Sequence, residues 1–294
     1  MKWLIIPFLM IQVSWAETSK LIPTFLEAAK VYVADKSQED TVQMLRPDIQ
    51  AAVEVLGQKN VDPKLLEEVI AKASQKSWIL PQDDEFDRLI EESKKNPLTQ
   101  VDVPEVAFHA VRIDVNKKAD VFFNDDVYAY FFVTDGVIPT GKVTSIYKGL
   151  TSGDSFFFNE VDRAIFPLVG ISAKKPENHL IIDYGIIESD GDDIKKMQQL
   201  SSIIIDIAIA VYSAHDPQNA QILVSLRKEI KALADLLLTM NNDDRLVTSS
   251  FAYTTADLAK LLKEDSFVEI KKNHKKTNGF KTFNYDIHFR LLRK

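Results

Sequence analysis

The 294 residues carry 36 Lys and Arg against 43 Asp and Glu, for a formal net charge of -7. A net charge this acidic argues against nucleic acid as a partner, because a phosphate backbone requires a basic face. With 46% hydrophobic residues, 9 glycines, 11 prolines and no cysteine, it is a globular chain without disulfides, internal repeats or low-complexity linkers.

The first residues predict export. Lys2 precedes an apolar stretch from Trp3 to Val13, and Ser14 and Ala16 form the small-x-small pattern of a signal-peptidase site. The stretch is shorter than the ~20 residues that span a bilayer. Residues 1–16 therefore read as a signal peptide cleaved near Ala16, with a buried N-terminal helix as the alternative. No cysteine stands at the cut to carry a lipid anchor. An exported chain without disulfides points to a bacterial periplasm or to secretion. No later run predicts a transmembrane span in the mature protein.

Residues 17–100 read as a helical N-terminal region. Ser37 can cap a helix that enters at Gln38, and Pro47 is expected to kink or split it. Asp62-Pro63 is an N-cap followed by proline at the first helical position, and Leu65, Leu66, Val69, Ile70 and Ala73 then recur at helical spacing. A further short helix around Phe86, Leu89 and Ile90 should stop before Asn96-Pro97.

From residue 101 the period changes to two, and residues 101–294 read as one β-sandwich domain. Val111, Ile113 and Val115 alternate with Arg112 and Asp114. The run Val127 to Val133 is apolar on both faces, which predicts a central strand covered twice. Further strands are expected at Lys142–Tyr147, Ser155–Asn159 and Leu180–Glu188, with turns at Asp135-Gly136 and Gly153-Asp154. An α-helical hairpin interrupts the strands at about 192–241. Its first arm, Ile194 to about Ala214, is apolar nearly all round and includes Asp206, which argues for burial in protein rather than lipid. Its second arm starts at Asp216-Pro217. Strands resume around Arg245–Tyr253, Phe267–Lys271 and Phe283–Leu292, the last two flanking a loop with the turn signal Asn278-Gly279. The basic run Lys271–Lys276 falls in that loop, either as a solvated turn that guards a sheet edge or as a contact for anionic lipid or polymer. The fold class is thus α+β: N-terminal helices, then an antiparallel sandwich with an inserted helical hairpin.

Two acidic loops stand beside β-like runs, one in Lys117–Val133 and one in His179–Met197. Calcium takes 6–8 oxygen ligands, and carboxylates crowded together repel unless a cation neutralises them. If the loops converge they make an oxygen-lined calcium pocket; otherwise Asp125, Asp126, Asp192 and Asp193 serve as turn and N-cap residues. The segment His109–Asp135 resembles the first loop of a C2 domain, and Ile186–Asp193 resembles the third; Gly153–Glu160 is loosely similar to the strand between. The resemblance covers roughly residues 105 to 195. It implies a C2-like sandwich with Asp120, Asp126, Glu188, Asp190 and Asp193 as metal ligands, Asp192 being the alternative to the last. Two departures stand out: Glu188 replaces the commoner aspartate, and the helical hairpin begins where a C2 domain passes directly to its next strand.

Catalytic signatures are absent. HExxH, GxSxG and a phosphate-cradling glycine loop do not occur, and two SxxK matches at Ser172 and Ser225 lack the companion motifs. The five histidines show no metal spacing. The expected role is binding or adaptor work in the envelope, possible calcium (Ca2+) dependence included, with a lipid head group or a partner protein as the target. A secreted hydrolase using carboxylates of the same loops is one alternative, and a purely structural envelope protein is another.

Overall fold

The computed structural model describes residues 21–34, 46–75, 104–119, 124–135, 139–168, 173–177, 179–188, 194–213, 244–263, 265–278 and 281–294. The signal segment, the Ser37 cap, the short helix around Phe86, the hairpin's second arm, both SxxK serines and the Asp135-Gly136 turn beyond Asp135 lie outside those residues.

Among the described residues, three helices precede the strands. α1 (Leu21–Ala34) buries Leu21, Ile22, Phe25, Ala28 and Ala29 along one stripe. α2 (Pro47–Gln58) starts at Pro47, a position where its missing N–H costs nothing; the residues expected to form a helix before it lie outside the described residues. Asp48 in its first turn is buried and accepts hydrogen bonds from Thr24 Oγ1 (3.0 Å) and Arg46 Nε (3.2 Å), which ties α2 to α1. α3 (Pro63–Gln75) is capped as expected, with the Lys64 amide donating to Asp62 Oδ1 at 3.0 Å. Leu66, Val69 and Ala73 form its buried face.

Among the described residues, ten strands follow in two antiparallel sheets. The first sheet runs β5 (Ser155–Phe157), β1 (Val106–Lys117), β10 (Lys281–Arg293), β9 (Phe267–Asn278), with β6 (Ala164–Phe166) also on β1. The second runs β3 (Pro139–Val143), β2 (Asp125–Thr134), β7 (His179–Glu188), β8 (Asp244–Thr254), with β4 (Tyr147–Leu150) also on β2. Phe108, Ile113, Phe131, Tyr184, Phe251 and Phe289 fill the space between the sheets. The other parity of β2 (Tyr128, Tyr130 and Phe132) joins the helices in a second core. The double covering expected for this strand is therefore real: a sheet lies on one side and helices on the other.

α5 (Ile194–Ser213), the first arm of the expected hairpin, lies in the sequence between the hydrogen-bonded neighbours β7 and β8. It is buried in protein. A Cβ built on Gly141 of β3 would stand 2.3 Å from Ile205 Cγ2, so only glycine lets the helix sit this close. Asp206, the polar interruption in the apolar run, meets Lys59 Nζ at the end of α2 at 2.7 Å. No helix among the described residues is long and apolar enough to cross a membrane.

Four local expectations are corrected. Lys142–Tyr147 is two short strands, because Thr144 turns inward and its Oγ1 accepts from the Ala129 amide (2.9 Å). A helical turn, α4 (Glu160–Arg163), and β6 follow where no element was expected. A helix, α6 (Thr255–Leu261), follows β8, held by a capping box between Thr254 and Asp257. The basic run lies within β9 rather than in a loop, paired with β10 through Asn278↔Lys281. β9 is an edge strand, so its lysines do guard an edge.

The outer face of the first sheet is covered by nothing among the described residues and carries a polar lattice. Asp286 accepts from Asn116 Nδ2 (2.8 Å), Asn273 Nδ2 (2.6 Å) and Lys271 Nζ (2.8 Å). Asp114 accepts from Ser155 Oγ (2.6 Å) and lies 2.7 Å from His288 Nε2 and 2.9 Å from Arg112 Nε.

Candidate functional site

Register decides whether the two acidic loops can meet. β2 begins at Asp125, β7 ends at Glu188, and the antiparallel ladder pairs Val127 with Glu188. The chain thus enters β2 from the first loop and leaves β7 into the second at the same end of adjacent strands. Asp120, Asp190 and Asp193, and Asp192 with them, lie outside the described residues, so the anchors of both loops are what the geometry describes.

Those anchors differ from the expected set in one respect. A strand's side chains alternate between faces, and Val127 faces the inter-sheet core. Glu188, opposite Val127, shares that face and is fully buried at 0% exposure. Asp126 has the other parity. Its Oδ1 accepts from the Gly149 amide at 2.7 Å and its Oδ2 lies 4.0 Å from Lys148 Nζ, so it secures the β4 turn. Asp126 and Glu188 are register neighbours on opposite faces of the sheet.

The carboxylate that accompanies Glu188 inward is Asp125. It accepts from the Ala119 amide (2.8 Å) and from the Tyr285 hydroxyl. Burial, followed by the charges of Asp125 and Glu188, pushes the Tyr285 phenol well above its ordinary range, so it remains a donor. Asp125, Glu188 and Tyr285 therefore form a buried acidic floor beneath the point where both loops depart. Sequence reading missed Asp125. The signal was parity: Asp125 extends the row Val127, Ala129, Phe131 and Val133, all buried.

The floor is flanked at the β8–β9 rim by His274, the cross-strand neighbour of Tyr285. Its Nε2 lies 2.8 Å from the Tyr184 hydroxyl. Burial, then the Lys272 charge, lowers its pKa to about 4, so this ring is neutral at ordinary pH. Among the described residues no three His, Asp or Glu side chains form a group able to hold a metal ion. The described anchors supply a floor and two exits; a complete ligand set requires oxygens from the loops above.

No family model matches the chain, and no curated protein matches its sequence. Similar solved structures include a C2 domain of plant Extended Synaptotagmin 1 (10% identity, TM-score 0.28, 65% of this chain and 96% of that one). Human GIVD cytosolic phospholipase A2 is similar at 10% identity and TM-score 0.29, over 66% of this chain. The chain spans only 17% of that phospholipase. A structure of CC2D1B, described as coordinating ESCRT-III activity in nuclear-envelope reformation, is similar at 10% identity and TM-score 0.27, over 93% of this chain and 87% of that one. At these scores the likeness carries no argument, and the two-sheet architecture rests on the strand pairing itself.

Proposed function

We propose that this chain is a binding module of a bacterial envelope, exported through residues 1–16, whose acidic end takes a calcium ion and meets a lipid head group or a partner protein. The observation that supports the reading is the Val127↔Glu188 pairing, which sets the exits of both acidic loops side by side over Asp125 and Glu188. Carboxylates gathered at one end of a sandwich repel each other, and a divalent cation relieves that repulsion. Asp120, Asp190 and Asp193 are the proposed loop ligands. Asp126 and Glu188 would serve as their anchors, each already engaged by its own surroundings.

The test is thermal unfolding of residues 17–294 in calcium and in EDTA, with Asp190→Asn/Asp193→Asn alongside. Calcium at ten times its dissociation constant should stabilise by ~1.4 kcal/mol, a rise of roughly 3–6 °C for a domain of this size. The double variant should lose that rise. An equal Tm with calcium and with EDTA would dispose of the metal site and leave the acidic residues as turn and cap groups.

A further inference from the structure

The far end of the sandwich carries a second cluster of opposite sign. His109 lies near the start of β1, about six residues along the strand from Val115, the partner of Tyr285 in the acidic floor, roughly 20 Å at strand rise. Its neighbours Phe108 and Ala110 face the inter-sheet core, so the imidazole projects from the open face of the first sheet. The ladder pairs His109 with Arg290 on one side and with Ala164 on the other, which brings Arg163 up to the same spot. Lys142 arrives from β3, its ammonium donating to the carbonyls of Val161 (2.9 Å) and Ala164. Three cations therefore surround one half-buried histidine in a chain of net charge -7.

The donors at this spot are under-used. The buried Nε of Arg290 lacks an acceptor among the described residues. Arg290 Nη2 meets the exposed Glu269 at 2.6 Å, while Arg163 has only Glu160 at 4.0 Å. The buried carboxylate of Asp162, which acts on Lys142, accepts from Ser145, Tyr147 and Asn159. Every charged group acting on His109 is a cation, and burial together with Arg163, Arg290 and Lys142 lowers its pKa. Such a site is short of an anion. Guanidinium groups favour planar, bidentate oxyanions, and a neutral imidazole can donate one further N–H.

We propose that His109, Arg163 and Arg290 form a binding site for a phosphate monoester on the open face of the first sheet, at the end opposite the acidic loops. The lysine is a positioning group, since its ammonium is held by two carbonyls. Glu269 holds Nη2 of Arg290, whose guanidinium carbon lies 5.0 Å from the Phe267 ring centroid, until the phosphate arrives.

The experiment is an NMR titration of the imidazole signals with inorganic phosphate at constant ionic strength, with chloride as control. Millimolar phosphate should shift the His109 ring resonance and raise its pKa, while chloride does neither. Arg163→Gln, a change at a partly exposed side chain, should weaken binding roughly tenfold or more, the loss expected for a charged hydrogen bond. Glu269→Gln should tighten binding, because it frees Arg290, and this gain is not something a folding defect produces. Phosphatidic acid vesicles compared with phosphatidylcholine vesicles then separate a lipid head group from a soluble phosphoester. A response to free phosphate without vesicle binding assigns the soluble source, and Arg163-dependent vesicle binding assigns the lipid. An unmoved His109 signal, or an equal response in the Arg163→Gln protein, would overturn the site.

Discussion

The two sheets are built from strands of similar length but meet opposite fates on their outer faces. The second sheet is core on both sides, because Tyr128, Tyr130 and Phe132 of β2 turn toward α1, α2 and α5. The first is core on one side only, and its outer face is a lattice around Asp114 and Asp286. The difference lies in the parity of the sequence. β10 alternates Tyr285, Ile287, Phe289 and Leu291 with Asp286, His288 and Arg290, whereas β2 has no polar parity between Val127 and Val133. A helix layer can be recruited only to a face with apolar surface to lose.

The comparison breaks most sharply on the covered face. Phe132→Ala should cost about 3–5 kcal/mol, as buried aromatic truncations do, and urea denaturation would measure it. A loss below 1 kcal/mol would mean that the helices lend the second sheet little. Next comes Gly185→Ala on β7. A Cβ there would stand 2.1 Å from the Tyr130 ring, which lies across this glycine from the paired strand. The added methyl should cost about 3 kcal/mol by overpacking, and Gly185→Ala combined with Tyr130→Leu should recover part of it.

On the open face the stakes are electrostatic and appear in acid. Burial alone would raise the pKa of Asp286, but hydrogen bonds from Lys271, Asn273 and Asn116 outweigh it and lower the value to about 2. The unfolded state then binds the proton more readily than the native one. The stabilisation is fully present above the ordinary aspartate value and is lost as pH falls through about 2. Asp286→Asn should remove on the order of 2 kcal/mol at neutral pH and flatten the acid limb of a stability profile. Smaller still is Lys59→Met, which leaves Asp206 without its ion pair at a partly exposed position, at a cost below about 1 kcal/mol. Denaturation midpoints with and without salt would check it, since the wild-type pair should weaken in salt.

Much of this contrast could be read before any coordinates. The strict alternation in β10 and the two-faced apolarity of β2 both marked their places in the sandwich, and Asp62-Pro63 marked the start of α3. What escaped was local and short. β6 and α4 are too brief to show a period, and α6 starts from a capping box whose third helical residue is Asp257 rather than the usual Glu or Gln. The basic part of β9 reads as a loop because its inward residues are polar. Lys272 lies over the Phe251 ring at 5.1 Å and His274 meets Tyr184, contacts that only the opposite sheet supplies. At the acidic end, residue type pointed to Asp126 while strand parity favours Asp125. The basic cluster at His109 was illegible, since it joins residues from β1, β10 and the end of α4 that share no motif.

The position of β10 sets the order of assembly. The last strand of the chain lies between β1 and β9, and its Asp286 joins Asn116 across 170 residues of sequence. Until Lys281–Arg293 has been made, β1 has only the short β5 and β6 as partners and β9 is not joined to it. Such long-range closure makes for slow folding, because loop entropy is lost before the contacts repay it. Loss of β10 would part β1 from β9, leaving β1 only the short β5 and β6 beside it.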